Sequence, residues 1–174
     1  LAGVGLVALP GEAVVTRTFS LDTSSELSAG VLDRVAVTAD GTVVPGAQIE
    51  RVAPPDVVAS VWSLLDLGDG SVLAGTGVDG RVYRVQNNTA TLYAQTDALV
   101  VTSLARADDG TIYAATLPDG KLFKLVAPAG GRPQAPVLVA ELPGAQYIWS
   151  VAWDRTRRAL LCATGPEGKL FAVD

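Results

Sequence analysis

The sequence predicts an all-β fold made from a repeated four-strand unit, and three observations lead there. The first is a pattern of short apolar strands and glycine turns that occurs three times. It runs Val61-Trp62-Ser63-Leu64, Ala74-Gly75-Thr76, Asp79-Gly80-Arg81-Val82-Tyr83, then Val101-Thr102-Ser103-Leu104, Ala114-Ala115-Thr116, Asp119-Gly120-Lys121-Leu122-Phe123. The third copy is Ile148-Trp149-Ser150-Val151, Cys162-Ala163-Thr164, Glu167-Gly168-Lys169-Leu170-Phe171. The second observation is spacing: Ser63 to Ser103 and Gly80 to Gly120 are each 40 residues. The third is that no segment keeps the 3.6-residue apolar period of a helix. A unit of about 40 residues built this way is the signature of a propeller blade. The expected architecture is therefore a β-propeller of four-stranded antiparallel blades forming an incomplete ring. It has two full blades, a third that is truncated, and an N-terminal β leader.

Taken in order, Leu1 to Leu9 is an apolar run too short to span a bilayer as a helix. Gly11 and Ala13 follow at the spacing a signal peptidase reads, so residues 1–13 are expected to be the remnant of a secretory signal. Residues 14–58 are expected to form an N-terminal β leader or a partial blade. Val14 to Leu21 and Val31 to Thr38 alternate like strands, Ala39-Asp40-Gly41 is a hairpin signal and Thr42 to Val44 is the return strand. Ala53-Pro54-Pro55 then breaks regular structure.

The blades occupy 59–98, 99–145 and 146–174. In the first, strands are expected near Val61–Asp66, Ser71–Thr76, Arg81–Val85 and Thr91–Ala94, joined by Gly, Asn and Asp turns that tolerate positive φ. Several strands are apolar on both faces, as befits a blade held between neighbours. Gly120 to Gly168 is 48 residues, and the excess lies mainly in Ala127 to Pro136, expected as a lengthened outer hairpin. The third blade stops after its third strand.

Composition narrows the function. Hydrophobic residues make up 49% and charged residues 18%, which argues against disorder, and the net charge of -5 disfavours a nucleic-acid surface. The chain has no His, so a Ser-His-Asp triad, a Cys-His pair or a His-ligated metal cannot be built from it alone. Its one cysteine, Cys162, stands where the other copies carry Ala74 and Ala114, and reads as a small buried hydrophobe. Gly75-Thr-Gly77-Val-Asp-Gly80 matches a dinucleotide fingerprint, yet a strand follows where the motif needs a helix. The carboxylates before glycines read as turn chemistry, and none completes a calcium loop. No cofactor and no metal site are expected.

One constellation remains. In a propeller the loops between second and third strands open on the same face as the connections between blades. That gathers Asp79, Asp119 and Glu167 with Asp97, Gln146 and Tyr147, while Trp62 and Trp149 begin the innermost strands. Aromatic rings beside carboxylates suit a sugar, a peptide or a cation; the competing expectation is that both tryptophans pack between blades.

Residues 59–174 resemble bacterial exported β-propellers of the broad WD40-like group. There each blade reads aromatic-Ser-Leu, Asp-Gly, Ala-Gly-Thr, then Asp-Gly-Lys/Arg-Val/Leu-Tyr/Phe. The Trp-Asp dipeptide closing each unit and the Gly-His pair of true WD40 repeats are absent. The resemblance implies recognition or scaffolding, and fold alone does not fix function. The first expectation is a non-catalytic module outside the cytoplasm, periplasmic or extracellular, binding a protein, peptide or carbohydrate, with no nucleic acid and no stable membrane span. The alternatives are part of a propeller enzyme of lactonase, lyase or glycosidase type with catalytic residues on further blades, or a scaffold assembling between chains.

Overall fold

Strands form where Val, Leu, Ile and Tyr alternate between Gly, Asn and Asp turns, and the computed structural model describes residues 20–174 apart from 22, 48 and 57. The chain divides into two units, Leu1–Ile49 and Glu50–Asp174. Residues 1–13 and most of the expected Val14 to Leu21 strand lie outside the described residues.

In the first unit, α1 (Ser24–Ser28) is a short helix that the apolar period did not announce. A capping box starts it: Thr23 Oγ1 accepts from the Glu26 backbone N–H at 3.3 Å, and Glu26 accepts from the Thr23 N–H at 3.3 Å. Strands β1 (Val35–Val37) and β2 (Val43–Pro45) form the expected hairpin, antiparallel with Ala36 opposite Val44. Asp40 sits in its turn and accepts from Thr42 Oγ1 at 3.2 Å.

The second unit is a series of meanders. The first comprises β3 (Ser60–Asp66), β4 (Ser71–Gly77), β5 (Arg81–Gln86) and β6 (Thr89–Gln95), each antiparallel to the next. The second repeats it with β7 (Val100–Arg106), β8 (Ile112–Leu117), β9 (Lys121–Leu125) and β10 (Val137–Glu141). The third is β11 (Tyr147–Asp154), β12 (Ala159–Gly165) and β13 (Leu170–Val173). One residue pair, Gly77 opposite Val100, joins the first two meanders into a continuous sheet. The bounds of β3 to β6 lie within two residues of those expected for the first blade. Gly75 and Gly77 belong to β4 and a strand follows Gly80, so the fingerprint-like glycines serve a hairpin. The insertion falls between β9 and β10, where Ala129 and Arg132 exchange backbone hydrogen bonds of 3.0 and 3.1 Å around Gly130 and Gly131.

The core lies between meanders. Leu73, Val82 and Ala94 of the first pack against Val101, Leu104, Ile112, Ala114 and Phe123 of the second. Ala105, Ala115 and Leu122 of the second pack against Ile148, Val151, Leu160 and Cys162 of the third. Neighbours in sequence, such as Ala114 and Ala115 or Leu122 and Phe123, therefore enter opposite cores, as strand geometry requires. Each fully buried Leu or Val contributes about 1.5–3 kcal/mol over exposure. The second unit is all-β, a curled array of antiparallel meanders of the propeller-like kind. Among the described residues, no helix is long and apolar enough to cross a membrane.

Candidate ligand-binding face

The glycine of each Asp-Gly turn fixes where the loops meet. Gly80, at φ 53°, donates to the Leu99 carbonyl at 3.1 Å and accepts from the Thr96 N–H at 2.9 Å. A Cβ there would lie 2.4 Å from the Ala98 carbonyl oxygen, so no side chain fits. Gly120 holds the next connection in the same way, donating to the Gln146 carbonyl at 3.3 Å and accepting from Leu142 at 3.1 Å. The turn glycines thus draw each connection between meanders onto the preceding β-hairpin. Asp79 and Asp97 consequently line one open depression of about 450 Å³ with Ala98 and Pro118. Asp119 comes beside the segment carrying Gln146. None of Asp119, Gln146, Tyr147, Glu167 or the two tryptophans lines that depression.

The carboxylates are not bare. Asp97 pairs with Lys121 at 3.2 Å, Asp79 with Arg81 at 3.7 Å, and Glu167 with Lys169. Arg81 also meets Asp56 at 3.1 Å. The hydrogen bond to Asp97, with the carboxylate's charge, raises the Lys121 ammonium above its ordinary range. Hydrogen bonding to Lys169 lowers the Glu167 carboxyl. At two turns the cation two residues after the acid pairs with it, Arg81 with Asp79 and Lys169 with Glu167, whereas Lys121 pairs with Asp97 of the adjoining connection and not with Asp119. Three of these four acids are thus held in ion pairs. Among the described residues, no group of three or more His, Cys, Asp and Glu is placed to hold a metal ion.

Trp62 and Trp149 occupy a feature that sequence spacing does not reveal. In all three meanders the register slips on the first strand, between Val61 and Ser63, Val101 and Ser103, and Ile148 and Ser150. The skipped residues are Trp62, Thr102 and Trp149, each at a β-bulge, which re-aims the side chain. Two residues before the bulge residue, Ser60, Val100 and Tyr147 pair with Gly77, Leu117 and Gly165 of the neighbouring strand. Where the bulge carries Trp, that neighbouring-strand residue is Gly; where it carries Thr, it is Leu. A Cβ on Gly77 or Gly165 would lie 2.6 Å from the indole nitrogen of Trp62 or Trp149. Each indole therefore lies over glycine backbone.

Both tryptophans stay 52% exposed, so they do not pack fully between meanders. Trp62 Nε1 donates to Ser60 Oγ at 2.8 Å. Trp149 lies 5.1 Å from the Tyr147 ring, tilted by 36°. Thr102 is buried instead, its hydroxyl bonded to the carbonyls of Ala115, at 3.1 Å, and of Ile148. Comparing the three copies position by position could have found the Trp/Gly pairing, because Gly77 and Gly165 differ from Leu117 in step with the bulge residue.

No protein-family model matches the chain, and a search of curated proteins also returns no match. Among solved structures, the chain is similar to a catalytically inactive variant of virginiamycin B lyase from Staphylococcus aureus, determined with quinupristin. The two are 14% identical with a TM-score of 0.49, over 79% of this chain and 47% of that one. The chain spans about half the length of that protein.

Proposed function

We propose that this chain is a non-catalytic propeller-like binding module acting outside the cytoplasm, with its ligand taken at the loop end of the meanders. The observation that carries the reading is the pair of half-exposed indoles, each lying over a glycine of the neighbouring strand. A flat aromatic surface with a polar rim favours the apolar face of a sugar ring or a peptide side chain. The ion pairs Asp97–Lys121 and Glu167–Lys169, with Gln146 exposed nearby, offer hydrogen-bond donors and acceptors around it. Residence outside the cytoplasm is supported by the apolar run at Leu1 to Leu9 and the small residues Gly11 and Ala13.

Glycan and peptide arrays probed with the labelled chain test this. Wild type should select a discrete set of sugars or peptides. The Trp62→Ala/Trp149→Ala double variant should lose that set while its thermal midpoint stays within a few degrees. A double variant that binds as wild type does, or a wild type that selects nothing, overturns the proposal.

A further inference from the structure

One side chain in the core of the second unit carries a polar group that the protein itself does not use. Tyr93 is 7% exposed, and its ring belongs to the core between the first two meanders. Its hydroxyl makes no hydrogen bond among the described residues. Tyr93 stands at the bulge in β6, where the register skips from Leu92 to Ala94. Strand β10 slips at the equivalent place, between Leu138 and Ala140, and the residue there is Val139. The repeat is thus satisfied by an apolar side chain at this bulge, and the hydroxyl is an addition of the first copy. Leaving such a buried group unpaired costs stability, so its presence asks for a partner.

Tyr93 lines two adjoining depressions of about 430 and 330 Å³, which also share Ala127. The first is walled by Leu92, by Pro128 of the insertion after β9, and by Asp69 and Arg84. The second is lined by Ile112, Asp109 and Lys124. Neither shares a residue with the depression at the loop end. The acids here are already engaged. Asp69 accepts from Arg84 Nη2 at 2.8 Å and from the Ser71 N–H at 3.0 Å, and Asp109 accepts from the Thr111 N–H at 2.9 Å. The donors are not. Among the described residues Arg84 Nη1 makes no hydrogen bond, and Lys124 makes neither a hydrogen bond nor an ion pair. Burial pushes the Tyr93 phenol above its ordinary pKa, so at neutral pH it keeps the proton it would donate.

We infer that the two depressions form one site for a small organic carboxylate, which accepts a hydrogen bond from the Tyr93 hydroxyl and has Arg84 and Lys124 on either side of it. The apolar body of the ligand lies on Leu92, Ile112 and Pro128. Three unpaired donors beside acceptors already in use call for a ligand group that only accepts, and an ionised carboxylate is such a group. An ammonium ligand would meet Arg84 and Lys124 with like charge. A sugar would bring hydroxyl donors to carboxylates that are already bonded. The lengthened hairpin after β9 supplies one wall of the site. Because this site is separate from the loop end, the inference and the ligand reading there fail independently.

Amide proton–nitrogen spectra of the full chain, titrated with sodium benzoate and sodium hexanoate, test this, with benzamide and hexanamide as neutral counterparts. At least one carboxylate should shift the Leu92, Tyr93 and Lys124 resonances saturably, and its amide should not. Tyr93→Phe should weaken carboxylate binding by about tenfold. Its thermal midpoint should hold or rise, because the lost hydroxyl has no protein partner. Lys124→Gln should weaken binding about two- to fivefold. Two carboxylates that both leave these resonances unmoved, amides that bind as well, or either variant keeping wild-type affinity overturns the inference. So does a Tyr93→Phe midpoint several degrees lower, which would give the hydroxyl a structural role.

Discussion

Cys162 shows how much one position can owe to its repeat. The thiol is fully buried in the core between the second and third meanders, and burial pushes its pKa up to about 11 from an ordinary value near 9. Its counterparts are Ala74 and Ala114, so the site asks for a small apolar group and supplies no neighbouring cation to activate a thiolate. Protonated sulfur is the form the folded chain prefers. Between pH 9 and about 11 the unfolded chain has lost that proton and the folded chain has not, so stability falls as pH rises through this window. Urea midpoints should therefore decline above pH 9, and Cys162→Ala should flatten that part of the curve. Equal slopes in both proteins would show the thiol titrating as freely as in the unfolded chain.

At the scale of the element, the repeat motif resolves into specific bonds. Thr76, Thr116 and Thr164 each donate a hydroxyl hydrogen bond across the hairpin, to the carbonyls of Arg81, Lys121 and Lys169 at 2.9, 3.0 and 2.9 Å. Asp69, Asp109 and Asp154 each accept from the backbone two residues on, closing the turn between first and second strands. Hydrogen bonding keeps all three carboxyls below the usual range, Asp69 mainly through the Ser71 hydroxyl, Asp109 through the Thr111 backbone N–H and Asp154 through the Arg157 guanidinium.

The bulges add a test of the indole seat. Gly165→Ala places a methyl group where Trp149 Nε1 now lies. We expect a cost of about 1–2 kcal/mol, the lower end of overpacking penalties, with the ring displaced. The Trp149 indole resonance should move in an amide proton–nitrogen spectrum while that of Trp153 stays; an unmoved Trp149 would mean the ring does not rest on the glycine. Strands were legible in the sequence because three copies could be superposed, and the Asp-Gly turns because their chemistry is local. The bulges were not, since register depends on which backbone groups pair across strands. Helix α1 escaped too: Thr23-Ser-Ser-Glu26 is a capping signature, but no apolar run follows it to set a period.

For the whole molecule, the same motif position carries different weight according to what lies beside it. Leu122 is fully buried between two meanders and Leu170, its counterpart, is 70% exposed. Leu122→Ala should cost about 2–5 kcal/mol and leave a cavity. Leu170→Ala in dilute solution should change stability by no more than about 0.5 kcal/mol. Denaturant unfolding of the two variants side by side checks this, and equal losses would contradict the layered arrangement of the cores. The sequence repeat alone treats these leucines as equivalent. Loop equivalence gathers Asp79, Asp119, Glu167, Asp97, Gln146 and Tyr147 on one face; of these Asp79 and Asp97 line one depression, and the Asp119 turn adjoins the segment of Gln146. Which acid each cation meets, Lys121 with Asp97 and Arg81 with Asp56 as well as Asp79, depends on contacts between strands and loops that the repeat does not spell out.

The small hairpin at Ala129–Arg132 has a practical use. It leaves the end of β9, whose start adjoins the Asp119 loop, so it projects from the opposite end of the meander. No other atom lies within 4 Å of where side chains on Gly130 and Gly131 would begin. A biotin acceptor tag inserted there would anchor every molecule to a sensor chip in one orientation, with the aromatic end turned toward the flowing analyte.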